Sequence, residues 1–220
     1  MRRLALVLLP VGPLCVAALR YLLPYYNADS SLATVQAVDA HPGRQSAVVW
    51  LGLIALVTLV PGVVAAASVL PASRLKTWAL ALSVPGYLCL GVLVGEDYLL
   101  WSGAHAHADP HQIAQLLDAA HPSFNVGIAI FVVGHVVGTV LLGIALLRSA
   151  RIPKAAAWAV IVSQPLHFIA TVIAGSPTLD LIGWSLTGIG LAFVARALLA
   201  EPTLTRPTVR RDALPIGDYR

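Results

Sequence analysis

The chain has 220 residues, of which 58% are hydrophobic and 11% are charged, and its formal net charge is +4 at pH 7. Soluble globular domains average roughly 25% charged residues, so this composition excludes an ordinary soluble domain and indicates an integral membrane protein. The expected partner is therefore a lipid bilayer. The basic residues follow membrane topology, as described below, and nucleic-acid binding is not expected.

Six apolar segments approach the length of about 20 residues that a helix needs to cross a bilayer. They are Leu4 to Leu23, Ala47 to Leu70, Thr77 to Trp101, Phe124 to Leu147, Ala155 to Ala174 and Leu181 to Ala200. The expected fold is an all-α membrane bundle of six transmembrane helices within residues 1–200. The segment 201–220 has three prolines and no apolar period, which predicts a flexible cytoplasmic tail.

The first span has the basic start and the apolar stretch of a secretory signal, so its removal must be weighed. Its apolar run is long, and the residues before Cys15 do not fit a lipoprotein cleavage box. We therefore expect the first span to be retained.

Two loops between spans carry short amphipathic patterns. In the loop before span four, Asp109 can cap a helix that begins at Pro110, and apolar residues then recur at helical spacing as far as Ala120. The loop before span two has a weaker stripe after Asp29 or Ser30. Both patterns predict interfacial helices that lie on the outer leaflet and end at a His-Pro pair.

Lys and Arg concentrate on one side of the expected bundle: before span one, between spans two and three, between spans four and five, and after span six. The opposite side holds only Arg20 and Arg44. Because basic residues are retained on the cytoplasmic side, both termini are expected in the cytoplasm of a bacterial-type inner membrane.

The sequence also repeats itself at an offset of 80 residues. The matching groups are Ala28-Asp29 and Ala108-Asp109, Ala40-His41-Pro42 and Ala120-His121-Pro122, Trp78-Ala79 and Trp158-Ala159, Ser83 and Ser163, Pro85 and Pro165, and Gly95 and Gly175. The two copies cover approximately residues 20–98 and 97–178. Since each copy starts and ends on the same side, the copies should be related by an axis along the membrane normal.

Charged residues near the outer ends of spans need partners, because an unpaired charge in a bilayer is costly. Arg20 and Asp97 precede equivalent Tyr-Leu-Leu motifs, so the duplication predicts that they lie at similar heights and form an ion pair. Glu96 has no predicted partner. It is a candidate for binding a cation, a proton or a polar substrate, and the alternative is that it reaches into the headgroups.

Two histidines lie near the centre of the bilayer. His135 is eleven residues into span four from its outer start, and His167 is twelve residues into span five from its inner start. Equal depth on successive helices is what two axial ligands of a haem b require. The competing interpretation is hydrogen bonding between helices or the wall of a polar cavity, since Gly134 and Gly138 favour close helix contact around His135. A role in proton relay or substrate binding is also open.

The outer loop before span four contains His105, His107 and His111 beside Asp109. Imidazole and carboxylate groups are ligands for zinc or copper, so these residues form a candidate metal site. None of the strict metalloprotease spacings is present, and a solvated loop with scattered histidines is the alternative.

No sequence motif indicates an enzyme: there is no phosphate-binding glycine loop, nucleophile elbow, His-Glu-x-x-His or Cys-x-x-Cys. The expected role is non-enzymatic binding or transport of a small molecule, ion or proton through a polar cavity formed by Arg20, Glu96, Asp97, His135 and His167. One alternative is a redox protein that binds haem b or a metal, and another is a structural membrane subunit. Six spans are few for a transporter, so a homodimer is a further expectation.

Overall fold

The computed structural model describes the backbone from Arg2 to Ala200 and the side chains from Val7 onward, and every regular element in that range is helical. The predicted tail, 201–220, lies outside the described residues. The elements are α1 (Arg2–Leu22), α2 (Ser31–Ala40), α3 (Pro42–Ser68), α4 (Arg74–His105), α5 (Pro110–Asp118), α6 (Pro122–Ser149), α7 (Lys154–Phe168), which continues as one π-helical turn (Ile169–Ile173), and α8 (Pro177–Ala200).

Five helices are long and apolar enough to cross a membrane, as the composition predicts for a membrane protein. They are α3, α4, α6, α7 with its π-helical turn, and α8. The described side chains of α1 form a shorter apolar stretch, Val7–Leu22. The chain is thus an all-helical protein whose long helices are compatible with a membrane bundle.

The six long helices form a closed ring. Each packs on two neighbours in the order α1, α3, α4, α6, α7, α8, and α8 packs back on α1. Only the last of these contacts joins the two ends of the described chain. The ring encloses an apolar core that includes Leu59, Leu142 and Val194.

The two short helices pack on each other and cover one end of the ring, which we call the α2/α5 end. Their contact is a separate apolar cluster in which Val38 and Ile113 are buried against Leu100 of α4. The helix expected after Asp109 is confirmed. The side chain of Asp109 accepts a hydrogen bond from the backbone N–H of His111, and Pro110 is the first helical residue. α2 and α5 bury apolar side chains against each other and against α4. In this they differ from helices that lie separately on a membrane surface.

The backbones of α4 and α6 approach each other closely. A Cβ atom added to Gly86 would lie 2.7 Å from the carbonyl carbon of Gly134, and one added to Gly138 would meet the backbone nitrogen of Ser83 at 2.6 Å. The sequence predicts this close approach from Gly134 and Gly138, and the structure identifies α4 as the partner. Backbone contact at this level leaves no space for even one methyl group.

We expect Gly86→Ala to destabilise the protein by about 1–3 kcal/mol, because the new methyl group must push α4 and α6 apart. The measurement is the unfolding midpoint of detergent-solubilised protein in a denaturing-detergent titration followed by circular dichroism. Gly95→Ala is the matched control on the same helix, since nothing lies within 4 Å of a Cβ atom at that position. Equal midpoints for the two variants would contradict the tight α4–α6 contact.

Candidate functional site

A buried carboxylate organises the α2/α5 end of the ring. Asp180, on the first turn of α8, is fully buried, and its Oδ2 accepts hydrogen bonds from Nε of Arg20 at 2.7 Å and from the hydroxyl of Tyr26 at 2.9 Å. Its Oδ1 lies 2.5 Å from Nδ1 of His167. A carboxylate paired with a guanidinium only accepts hydrogen bonds, so His167 donates through Nδ1. The indole nitrogen of Trp184 lies 3.2 Å from the same imidazole nitrogen.

The predicted ion pair between Arg20 and Asp97 is wrong, because Arg20 pairs with Asp180 instead. The repeat indicated similar heights for the two residues, but α1 packs on α3 and α8, whereas α4 packs on α3 and α6. Similar height therefore did not mean adjacent helices. Asp97 is buried and accepts hydrogen bonds from the hydroxyl of Tyr25 at 2.6 Å and from Nε2 of Gln45 at 2.7 Å.

Tyr25 lies in the loop after α1, and its environment favours the neutral phenol. Burial of the hydroxyl raises the pKa of Tyr25 well above its ordinary value, and the neighbouring Asp97 carboxylate raises it further. Arg20 acts weakly in the opposite direction. Tyr25 therefore remains a hydrogen-bond donor to Asp97 throughout the neutral range.

His135 is fully buried with one nitrogen unsatisfied. Its Nδ1 is 2.6 Å from the backbone carbonyl oxygen of Phe131, which can only accept, so Nδ1 carries the proton. Its Nε2 is then an acceptor, and it has no hydrogen-bond partner among the described residues. The ring is stacked on Phe131 and on Trp184, with centroid distances of 4.3 and 5.5 Å. Three other buried atoms also lack a partner among the described residues, Oε1 of Gln45, Oγ of Ser83 and Oε1 of Gln164, but His135 is the one of these four residues on the wall of the cavity described below. A buried polar atom without a partner requires an explanation, and beside a cavity a bound water or ligand supplies one.

All five residues of the predicted polar site lie on the wall of one cavity of about 220 Å³: Arg20, Glu96, Asp97, His135 and His167. The cavity is inside the ring, between α1, α4, α6, α7 and α8. The remaining wall is mostly apolar, with side chains such as Leu19, Leu90 and Val94. A few polar groups in an apolar cavity is the usual composition of a small-molecule site.

Glu96 is the least constrained of these groups. It is half-buried, and its carboxylate makes no hydrogen bond or ion pair with any side chain between Val7 and Ala200. Its neighbour Asp97 is held by Tyr25 and Gln45. Glu96 is therefore the wall carboxylate that is free to contact a ligand.

The residues do not fit a haem held between His135 and His167. The two ring centroids are 5.4 Å apart, and both faces of His135 are covered by aromatic rings. Beside His135, the backbones of α4 and α6 touch at Gly86 and Gly134. A porphyrin needs a ligand nitrogen directed at its centre from each side and a flat space between the two rings, and this packing leaves none.

The outer histidines do not converge. His105 is stacked on Trp101 at a centroid distance of 4.8 Å, and His107 adopts a left-handed backbone conformation with φ of 52°. His111 is on the first turn of α5. Among the residues that the structure describes, no group of three His, Cys, Asp or Glu side chains is placed to hold a metal ion. The zinc or copper site predicted for these histidines is therefore not assembled.

Several residues of the site were absent from the sequence prediction: Tyr25, Tyr26, Gln45, Thr171, Asp180 and Trp184. Asp180 could have been predicted from the sequence, because a carboxylate at the start of an apolar segment requires a partner. The neutral residues carried none, since Tyr, Gln and Trp are ordinary components of membrane helices and of their ends.

We expect Asp180→Asn to destabilise the protein by about 3 kcal/mol or more, because it leaves the Arg20 charge without its buried partner. In a double-mutant cycle with Arg20→Gln, the double variant should be clearly less destabilised than the sum of the two single variants. The measurement is the unfolding midpoint in denaturing detergent, with Asp29→Asn at an exposed carboxylate as the control. If the losses of stability in the two single variants add up to the loss in the double variant, the ion pair itself contributes nothing to stability.

We expect Tyr25→Phe to reduce the loss of stability at alkaline pH. The pKa of Tyr25 is raised in the folded protein, whereas in the unfolded chain the exposed phenol ionises near pH 10. The stability that Tyr25 contributes is therefore fully present below about pH 10 and is lost as the pH rises above it. The wild-type protein should lose more stability between pH 10 and 11 than Tyr25→Phe, although the variant starts lower because Asp97 loses a hydrogen bond. The control is Tyr21→Phe at an exposed position, which should follow the wild type.

No protein-family model matches the chain, and no curated protein or solved structure is recognisably similar to it.

Proposed function

We propose that this protein binds a small molecule, an ion or a proton in the cavity within its helix ring and moves it without chemical conversion. The observation that carries the proposal is the unpartnered Nε2 of His135 on the wall of a cavity that also contains Arg20, Glu96, Asp97 and His167. Ionisable groups at membrane depth are costly, and a binding role explains their presence at one place.

The charges on the wall favour a ligand that donates hydrogen bonds. Arg20 is already paired with Asp180, so its charge is compensated. The groups left to contact a ligand include the carboxylate of Glu96, Nε2 of His135 and Nε2 of His167, whose Nδ1 is the atom that faces Asp180. The first two are acceptors when His135 is neutral. A hydroxyl, an ammonium, a water molecule or a proton satisfies these groups, whereas an anion does not.

The wider membrane architecture belongs to the same proposal. We place α1 in the membrane as a sixth span, with both termini cytoplasmic according to the distribution of Lys and Arg. The duplication is supported by helix starts that recur 80 residues apart: α3 begins at Pro42 and α6 at Pro122, and α4 begins at Arg74 and α7 at Lys154. A bacterial-type inner membrane and a homodimer remain predictions from the sequence.

The redox alternative is less well supported, because neither a haem between His135 and His167 nor a metal at the outer histidines fits the observed packing. A structural subunit does not explain why Nε2 of His135 is left without a partner beside a cavity. Ligand binding accounts both for the cavity and for the buried nitrogen atom of His135 beside it.

The proposal is tested with the full chain in lipid nanodiscs and with aqueous and organic extracts of the source cells. A ligand present at 100 times its dissociation constant adds about 2.7 kcal/mol of stability, so one extract should raise the unfolding temperature by roughly 5–10 °C. Val132→Trp should abolish the rise, because Val132 is on the cavity wall and the indole fills the space.

The matched control is Val133→Trp on the same helix, since Val133 is 56% exposed and is not on the cavity wall. It should respond to the extract as the wild type does. If neither extract distinguishes the wild type from Val132→Trp, the cavity is not a binding site and the proposal fails.

A further inference from the structure

The cavity reaches the outer surface of the helix ring. Two residues of its wall are exposed: Val132, at 40%, and Thr171. They lie on α6 and on the π-helical turn after α7, and both positions are within segments that can cross a membrane. An opening between these segments faces hydrocarbon rather than water.

The helix that carries Thr171 is distorted to a π-helical turn at this level. Lower in the ring α6 and α7 are in tight contact, where a Cβ atom on Gly143 would lie 2.7 Å from Cγ1 of Ile161. At Ile169–Ile173 the helix widens to a π turn, a distortion often found at functional sites. Thr171 is on this turn, one turn beyond His167.

The size and the lining of the cavity select a compact apolar molecule. An apolar protein cavity of about 150 Å³ is known to hold benzene, so a cavity of about 220 Å³ has room for one ring with substituents or for two fused rings. Its wall is mostly Leu, Val, Ile and Phe. A hydrated ion would lose water contacts against this apolar wall and gain no polar contacts in return.

The inner end of the cavity requires a hydrogen-bond donor. His135 follows Val132 by one helical turn, and its Nε2 is a buried acceptor without a partner. Phe131 and Trp184 are both stacked on the imidazole, so a ligand contacts this residue best at its edge, where Nε2 lies. An O–H group directed at Nε2 meets that requirement.

We infer that the ligand is a small lipophilic alcohol of the phenol or naphthol class, which enters from the bilayer between α6 and the π-helical turn and donates its hydroxyl hydrogen to Nε2 of His135. This inference rests on the proposed function, because it names the ligand class of the same cavity. Glu96 and Arg20 are on the wall of the same cavity and accommodate polar substituents of the ligand.

The test uses 1-naphthol and 1-methoxynaphthalene with the full chain in nanodiscs, measured by equilibrium dialysis against empty nanodiscs. The two probes have the same ring system, but the ether cannot donate a hydrogen bond. We expect saturable binding of one 1-naphthol per chain and binding of the ether that is weaker by about tenfold or more, since Nε2 of His135 then stays unsatisfied. His135→Phe should remove the preference between the two probes.

Val132→Trp guards against a folding defect in the His135 variant, because it leaves His135 in place and Val132, which lines the cavity, is only partly buried. It should abolish saturable binding of 1-naphthol, and Val133→Trp should leave it unchanged. Equal binding of the two probes would overturn the inference, and so would 1-naphthol binding no higher than in empty nanodiscs.

The failure of this inference is distinguishable from failure of the proposed function. If an aqueous extract stabilises the wild type but not Val132→Trp while 1-naphthol does not bind, the cavity is a site for a water-soluble ligand and only the ligand class is wrong. If neither the extracts nor 1-naphthol distinguish the variants, both proposals fail.

Discussion

The ion pair between Arg20 and Asp180 is the interaction on which the arrangement of the α2/α5 end depends. Each residue alone would be an isolated charge near the end of an apolar helix, and the pair compensates both. Because Arg20 is on α1 and Asp180 is on α8, the same contact joins the first and last helices and closes the ring. His167 and Tyr26 are held in place by the remaining lone pairs of the carboxylate.

The cavity follows from where the helices touch and where they do not. Glycines bring α4 and α6 into backbone contact at Gly86 and Gly134, and they bring α6 and α7 together near Gly143. After Phe168, α7 changes to a π turn. The space left within the ring is bordered mostly by apolar side chains, and Arg20, Glu96, Asp97, His135 and His167 supply polar groups among them.

The sequence predicts the helices well because bilayer thickness and capping act locally. Apolar length located the long helices, five of which are long and apolar enough to cross a membrane, and Asp109 with Pro110 located the start of α5. It also indicated the close approach around Gly134, although not the partner helix. Choosing a partner requires knowing which helices are adjacent, and that depends on contacts between distant parts of the chain. For this reason Arg20 was matched with Asp97 by height, whereas its neighbour in the ring is α8.

The position of the ring-closing contact has a consequence for biosynthesis. Arg20 and Asp180 are separated by 160 residues of chain, and translation proceeds at about 5–20 residues per second. Arg20 therefore waits roughly 8–32 s on a nascent chain before its counter-ion is made. During that interval the guanidinium must stay hydrated or be shielded by lipid headgroups or by the insertion machinery. A chain truncated before α8 would keep the charge uncompensated, which gives membrane quality control a means of recognising incomplete copies.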